Sequence, residues 1–209
     1  MNFVDRLICD FDRGLRTLAA RPHAQRPTPA RQVADSPEIS AQDSAQAVRL
    51  MRVNHCGEIC AQALYQGQAL VARNVSTRKM LLQAAQEEND HLAWCQQRLD
   101  DLGGRKSVLN PLWYAGSFGL GVVSGVLGDK WSMGFLVETE RQVERHLDEH
   151  LARLPASDVK SRKVLEAMRE DEIRHANSGE QHGAMPLPQP IVAAMRFTSR
   201  LMTRTAYWV

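Results

Sequence analysis

The sequence predicts an all-α protein. Apolar residues recur at three- and four-residue spacings through most of the 209 residues, which is the period of an amphipathic helix. No stretch alternates apolar and polar residues for long, so no β-strand is expected. Helix-stopping residues interrupt the pattern, among them the glycine pair 103–104 and Pro155. Together these observations favour consecutive helices joined by turns.

The elements follow in chain order. Residues 1–42 are expected to form a short amphipathic helix and then a linker, because 21–42 carries four prolines and no apolar period. Residues 43–209 are expected to form the main domain. Its predicted helices cover about 44–73, 77–102, 131–154, 157–182 and 191–209.

Charge and cysteine content argue against two classes of function. The net charge is only +2, and no basic block is interleaved with aromatic residues, so a nucleic-acid partner is not expected. Four cysteines give no secreted-type disulfide framework, and the three aspartates of the first twelve residues argue against a signal or transit peptide. We expect free thiols in a reducing, intracellular setting.

Two copies of one motif carry the chemical signal. "QEENDHL" places Glu88 and His91 at i and i+3, and "EDEIRHA" places Glu172 and His175 at the same spacing. Side chains three apart on a helix lie one above the other and can bind one metal together. A single Glu-x-x-His can equally be part of a solvated face, but two copies on separate predicted helices favour a metal site.

Hairpin symmetry adds two more carboxylates. Residues equidistant from a turn lie at the same height in a helical hairpin. Glu58 stands about as far before the turn near Asn74 as Glu88 stands after it, and Glu140 and Glu172 flank Ala156 by sixteen residues each. Four helices would thus bring four carboxylates and two imidazoles into one layer. This is the ligand set of ferritin-like di-iron and di-manganese bundles, and the alternative is four surface glutamates.

Five motifs, "RVNHCGEICA", "EENDHLAWC", "NPLWYAGSFGLG", "VETERQVERHL" and "EDEIRHA", resemble those of the demethoxyubiquinone hydroxylases. The resemblance runs from about Val48 to the C-terminus. It implies two iron ions, with Glu88 and Glu172 bridging. One iron would take Glu58, Glu88 and His91, and the other Glu140, Glu172 and His175. The motif alignment and the hairpin symmetry both favour Glu140 over Glu138 and Glu144.

The resemblance also implies a reaction. It predicts O2-dependent hydroxylation of the ring of a demethoxyubiquinol, a 2-polyprenyl-3-methyl-6-methoxy-1,4-benzoquinol, in ubiquinone biosynthesis. No strand–turn–helix carries Gly-x-Gly-x-x-Gly, so no nicotinamide domain is expected and the electrons must come from an external donor. Other ubiquinone-biosynthesis proteins are possible partners. The alternatives are a ferritin-like iron-storage or peroxide-handling protein and a membrane scaffold without enzyme activity.

Two segments suggest contact with a membrane. Residues 107–128 carry no charge, but their glycines, serines and proline favour a long crossover lying on the bundle over a membrane span. The last helix has a basic stripe of Arg196, Arg200 and Arg204 and ends in aromatic residues. We expect peripheral association with the cytoplasmic side of a bacterial cell membrane. The alternative is ordinary packing of both segments against the bundle.

Three further side chains are candidates for the pocket. His55 lies one turn before Glu58, Tyr65 returns to nearly the same face, and Glu144 lies one turn beyond Glu140. For each, a structural or solvated role is the alternative. Relatives in the resembled family usually have alanine and glycine where this chain has Cys56 and Cys60, so these thiols are expected to be small residues tolerated beside the site. A thiolate metal site or a pairing at i, i+4 remains open.

Overall fold

Seven α-helices make up the computed structural model, which describes residues 3–33 and 38–209. They are α1 (Phe3–Ala19), α2 (Ala41–Val71), α3 (Val75–Asp101), α4 (Asn110–Val126), α5 (Asp129–Arg153), α6 (Val159–Gln181) and α7 (Gln189–Trp208). No β-strand occurs within those residues, so the all-α prediction is confirmed. Residues 1–2 of the expected N-terminal helix and 34–37 of the expected linker lie outside the described residues.

Two helical hairpins form a four-helix bundle. Only three residues connect α2 to α3, and five connect α5 to α6, so the partners of each hairpin run antiparallel. Asn74 is the N-cap of α3, and the Asp158 side chain caps α6 by accepting the backbone N–H of Ser161 at 3.0 Å. Apolar side chains of all four helices, such as Leu81 and Leu136, fill the core. The hairpins therefore have the turns that the sequence predicts.

The crossover helix α4 lies directly against α2. A Cβ at Gly67 would collide with the backbone carbonyl of Phe118, and a Cβ at Gly121 would collide with that of Leu64. The two backbones can approach this closely only because these positions are glycine. The Gln68 side chain also donates a hydrogen bond to the Ser124 hydroxyl at 3.2 Å. Thus α4 lies on the bundle, as expected.

The outer helices leave apolar side chains in solvent. The large exposed ones on α1, α4 and α7 are Val4, Ile8, Phe11, Leu15, Leu112, Leu120, Val123, Val126, Phe197, Leu201 and Trp208. The three helices all contact α2, and α1 also contacts α4. Trp113 of α4 packs against the cluster that contains Ala206 of α7, so the exposed side chains belong to neighbouring helices. Across residues 3–33 and 38–209, no helix combines the length and the apolar character needed to cross a membrane.

Part of the expected linker is packed against the bundle. Residues 29–32 form a short 3-10 helix that contacts α6. Ala30 is buried in the same core cluster as Trp94 and Met168. Residues 21–33, called the N-terminal segment below, therefore run along the groove between α3 and α6.

Candidate metal centre

The structure brings all six predicted ligands together in the middle of the bundle. Glu58 comes from α2, Glu88 and His91 from α3, Glu140 from α5, and Glu172 and His175 from α6. Every one of them is buried. Because each lies near mid-helix, the ends of the bundle shield the cluster from water. Their role as metal ligands stays a prediction, whereas their convergence is a feature of the fold.

The six side chains form two overlapping groups that could each hold a metal ion. One group contains Glu58, Glu88, His91 and Glu172, and the other contains Glu88, Glu140, Glu172 and His175. Within each group the ligand atoms lie within 4.8 Å of one another. Glu88 and Glu172 belong to both groups, which is the arrangement that two bridging carboxylates require.

His91 points one ring nitrogen into the cluster and the other away from it. Its Nδ1 lies 2.9 Å from Glu88, 3.3 Å from Glu172 and 3.6 Å from Glu58. Its Nε2 lies 2.9 Å from Oδ2 of Asp171. A proton on Nε2 donated to Asp171 would leave the lone pair of Nδ1 for a metal, which is how carboxylates commonly orient metal-binding histidines.

His175 repeats this arrangement in the second group. Its Nδ1 lies 3.2 Å from Glu88, 3.5 Å from Glu172 and 3.6 Å from Glu140. Its Nε2 lies 2.6 Å from Oε2 of Glu87. Each imidazole is thus placed between the cluster and one outer carboxylate.

These two outer carboxylates, Asp171 and Glu87, are not among the residues predicted from the sequence. Asp171 immediately precedes Glu172 on α6 but contacts the histidine of α3, and Glu87 immediately precedes Glu88 on α3 but contacts the histidine of α6. A signal was present, because both copies of the motif begin with an acidic residue before the Glu-x-x-His. The crossed contacts show that each motif orients the histidine of the other.

Burial and mutual contacts set the charges of the cluster. Burial raises the pKa values of Glu58 and Glu140 well above the ordinary range. Burial also opposes ionisation of Glu88 and Glu172, but contacts with the two imidazoles outweigh it and lower both pKa values. Burial thus favours the neutral form of Glu58 and Glu140, and the imidazoles favour the ionised form of Glu88 and Glu172.

The two imidazoles show the opposite shift. Burial alone would lower their pKa values. For His91 the attraction of Glu88 outweighs burial, and for His175 the hydrogen bonds to surrounding carboxylates do so, and both pKa values are raised. The raised pKa values favour protonated imidazoles, whose positive charge offsets part of the negative charge of the buried carboxylates.

The cluster fits a pair of divalent metal ions. Both oxygens of Glu172 and Oε1 of Glu88 are buried and lack a well-formed hydrogen bond. Imidazole Nδ1 atoms of His91 and His175 lie 3.2 to 3.5 Å from them. Buried carboxylate oxygens need a donor or a cation, because leaving them without either is costly. Two divalent ions would balance four carboxylates, and a set of carboxylate oxygens and imidazoles suits iron or manganese. These buried His and Glu side chains could therefore hold metal.

The three candidate pocket residues have different surroundings. The hydroxyl of Tyr65 donates a hydrogen bond to Oε1 of Glu140 at 2.6 Å, so it contacts a predicted ligand. His55 is buried, but its Nε2 contacts the amide oxygen of Gln96 at 3.1 Å. Glu144 is only partly buried. Within the described residues, neither His55 nor Glu144 belongs to a group that could hold a metal.

Cys56 and Cys60 face away from the cluster. Each is two positions from Glu58 on α2 and so points to roughly the opposite side of the helix. Both contact the apolar cluster around Val53 and Ala206, between α2 and α7. Among residues 3–33 and 38–209, neither belongs to a group able to hold a metal. The two thiols are therefore part of the interface between α2 and α7. They do not lie beside the metal cluster, contrary to the expectation.

A cavity of about 400 Å³ lies next to one side of the cluster. It is bounded by α3, α5 and α6, and both Glu87 and His175 line it. The other lining residues are Ser76, Lys79, Met80, Gln83, Ala84, Leu136, Arg174, Ser178 and His182. The outer carboxylate of the His175 group is thus reached from this cavity.

Comparison with known proteins gives close relatives over nearly the whole chain. The family model described as "Ubiquinone biosynthesis protein COQ7" matches residues 45–206. A 3-demethoxyubiquinol 3-hydroxylase of Nitrosomonas europaea is 57% identical over 206 residues, covering 99% of each chain. Enzymes of the same name from Chromobacterium violaceum and Xanthomonas axonopodis pv. citri are each 55% identical. These alignments cover 99% and 98% of this chain, and 100% and 94% of the relatives.

Proposed function

We propose that this chain, which belongs to the ubiquinone biosynthesis protein COQ7 family, is a 3-demethoxyubiquinol 3-hydroxylase. The observation that carries the proposal is the identity of 57% over 206 residues with an enzyme of that name. The buried layer of four glutamates and two histidines is compatible with the oxygen chemistry that this activity requires. An iron-storage or peroxide-handling protein is not favoured by these relatives.

The cofactor of the proposed enzyme is a pair of iron ions. Glu58, Glu88 and His91 would hold one ion, and Glu140, Glu172 and His175 the other, with Glu88 and Glu172 shared. Bound iron would supply the activation of O2 that amino-acid side chains cannot provide.

The protein itself positions and shields these groups. Asp171 and Glu87 orient the two imidazoles, and Tyr65 holds one oxygen of Glu140. The burial of the cluster keeps bulk water away from the reacting groups. A quinol and O2 would meet beside this layer, and an external donor would supply the electrons.

The substrate also suggests where the enzyme works. A polyprenyl quinol is strongly apolar and resides in the bilayer. The exposed apolar side chains of α1, α4 and α7 form a surface that suits the lipid interface, and Arg196, Arg200 and Arg204 on α7 suit anionic headgroups. These features support our proposal of peripheral attachment to the cytoplasmic side of a bacterial cell membrane, where other ubiquinone-biosynthesis proteins are possible partners.

The activity has a direct test. The purified chain, loaded with ferrous iron and given a demethoxyubiquinol, O2 and a chemical reductant, should form the hydroxylated quinol. Mass spectrometry with ¹⁸O2 should show one labelled oxygen in the product. Iron loading with consumption of peroxide but no hydroxylated product would contradict the proposal and favour the storage or peroxide-handling alternative.

Membrane attachment is tested separately with vesicles. The chain should float with vesicles that contain anionic lipid. The substitution Phe197→Asp, at a side chain that is 71% exposed, should weaken flotation because it places a charge on the apolar surface. Asn177→Asp, at an exposed position of α6, is the control, because it adds the same single negative charge away from α7. Equal flotation of all three proteins would contradict the proposed attachment through α7.

A further inference from the structure

The N-terminal segment, residues 21–33, is fixed to α3 beside the metal cluster. The backbone N–H of Gln25 donates to Asp90 at 2.7 Å, and Asn89 donates to the carbonyl of His23 at 2.7 Å. The indole N–H of Trp94 donates to the carbonyl of Arg26 at 3.3 Å. These contacts hold the backbone of the segment next to the turn of α3 that carries His91.

Arg26 reaches from this segment to both sides of the groove. Its Nε donates to Asp90 of α3 at 2.8 Å, and its Nη2 forms an ion pair with Oδ2 of Asp171 on α6 at 2.7 Å. The guanidinium also stacks over the ring of Trp94, 4.8 Å from its centre. A planar guanidinium is well suited to such a site, because it can contact two carboxylates and an aromatic face at once.

The same carboxylate oxygen connects Arg26 with the metal cluster. Oδ2 of Asp171 lies 2.7 Å from Arg26 and 2.9 Å from Nε2 of His91. The side chain of Asp171 is only 8% exposed, and its other oxygen pairs with Arg174. The position of the oxygen that receives His91 therefore depends on Arg26.

We propose that Arg26 is a positioning residue of the metal centre, which acts on His91 through Asp171. The inference rests on the proposed metal site. By holding Asp171, Arg26 fixes the imidazole with its Nδ1 toward Glu88 and Glu172, so the metal position at His91 is formed before the ion arrives. Arg26 lies in the N-terminal segment, before residues 45–206 that the family model matches, and the proposal gives this segment a role at the metal centre.

A simpler role for Arg26 would be to anchor the segment. Two control variants separate the roles. Asn89→Ala removes a contact of the segment with α3 but leaves Arg26 and Asp171 unchanged. Arg21→Gln removes an exposed ion pair of the same segment with Asp100. If anchoring alone mattered, Asn89→Ala would affect the metal centre as Arg26→Gln does.

The experiment is a titration of the metal-free full-length protein with Co²⁺, followed by absorption and calorimetry. The unsubstituted chain should bind two ions. In Arg26→Gln one of the two affinities should fall about 10-fold or more, as for other changes to groups that orient metal ligands, and the absorption bands of that ion should shift. Arg26→Lys should restore part of the affinity, because a lysine can reach Asp171 but cannot contact both carboxylates as a guanidinium does.

Three results would overturn the inference. Two unchanged affinities in Arg26→Gln would show that Arg26 does not act on the centre. An equal loss in Asn89→Ala would show that anchoring the segment is sufficient. Failure of the unsubstituted chain to bind two ions would remove the proposed metal site as well, and this outcome is distinct because it needs no variant. Thermal unfolding of each variant checks that it is folded.

Discussion

The two halves of the metal cluster have nearly the same internal geometry but different surroundings. His91 and His175 each point Nδ1 at three carboxylates and Nε2 at an outer carboxylate. The outer carboxylate of His91 is Asp171, which is 8% exposed and paired with Arg26 of the N-terminal segment. The outer carboxylate of His175 is Glu87, which is 29% exposed and lines the cavity of about 400 Å³.

This difference shows that the helical hairpins and the N-terminal segment contribute separately to the site. The repeated Glu-x-x-His motif and the hairpins determine the ligand positions, so both halves share them. The N-terminal segment occurs only once and covers only one end of the groove between α3 and α6. As a result, His91 is held by a largely buried carboxylate that pairs with Arg26, and His175 is held by a carboxylate in contact with solvent.

The substitution Glu88→Ala should have the largest effect, because it breaks both halves at once. Glu88 lies 2.9 Å from His91 and 3.2 Å from His175. Removing the shared carboxylate should abolish the binding of both ions and the hydroxylation activity. Iron content by elemental analysis measures the first, and product formation the second. Glu166→Ala on the outer side of α6 is the control, and normal iron content in Glu88→Ala would show that the proposed site is wrong.

Substitutions of the two outer carboxylates test whether the different surroundings of His91 and His175 affect metal affinity. Asp171→Asn should weaken metal binding at His91 about 10-fold to 100-fold. Glu87→Gln should weaken binding at His175 less, because water in the adjoining cavity can replace part of the lost contact. Titration of each metal-free variant with Co²⁺ measures both affinities. Equal losses in the two variants would mean that the different surroundings of the two halves have no effect on metal affinity.

Tyr65→Phe should act on the His175 half alone. The hydroxyl of Tyr65 is the donor to Glu140, which belongs to that half. Removing it leaves a buried carboxyl oxygen without this donor, which should lower the free energy of unfolding of the metal-free protein by about 2 kcal/mol. Urea unfolding measures the loss. Tyr207→Phe on α7 is the matched control, and a loss no greater than that of the control would contradict the assigned role.

The sequence predicts the helices and the six clustered side chains because both depend on regular spacing. A separation of three residues places Glu88 and His91 on one face, and equal distances from a turn place Glu140 opposite Glu172. The helix bounds agree with the prediction to within a few residues, since glycine, proline and capping residues mark the ends.

Contacts between distant parts of the chain could not be predicted in the same way. The pairing of Arg26 with Asp171 joins the N-terminal segment to α6, and no periodic pattern relates the two positions. Helical spacing placed both His55 and Tyr65 near the face of Glu58, but only Tyr65 contacts a predicted ligand, because the packing of α5 against α2 decides that contact.

His55 is a buried histidine outside the carboxylate cluster. Its Nε2 contacts the neutral amide of Gln96, and burial together with Lys106 lowers its pKa to about 4. Between pH 6.5 and 4 the unfolded chain, in which this histidine has its ordinary pKa, therefore binds more protons than the folded protein does. The stability contribution is present above pH 6.5 and is lost as the pH falls toward 4.

Replacing His55 should remove that dependence on pH. Between pH 7 and 5.5 the unsubstituted protein should lose about 1 kcal/mol through this histidine, and His55→Gln should lose less by that amount. Urea unfolding at the two pH values measures the difference, and His182→Gln at the exposed end of α6 is the control. An unchanged slope in His55→Gln would mean that burial does not hold this imidazole neutral. It would also weaken the argument that the carboxylates around His91 and His175 are what overcome burial there.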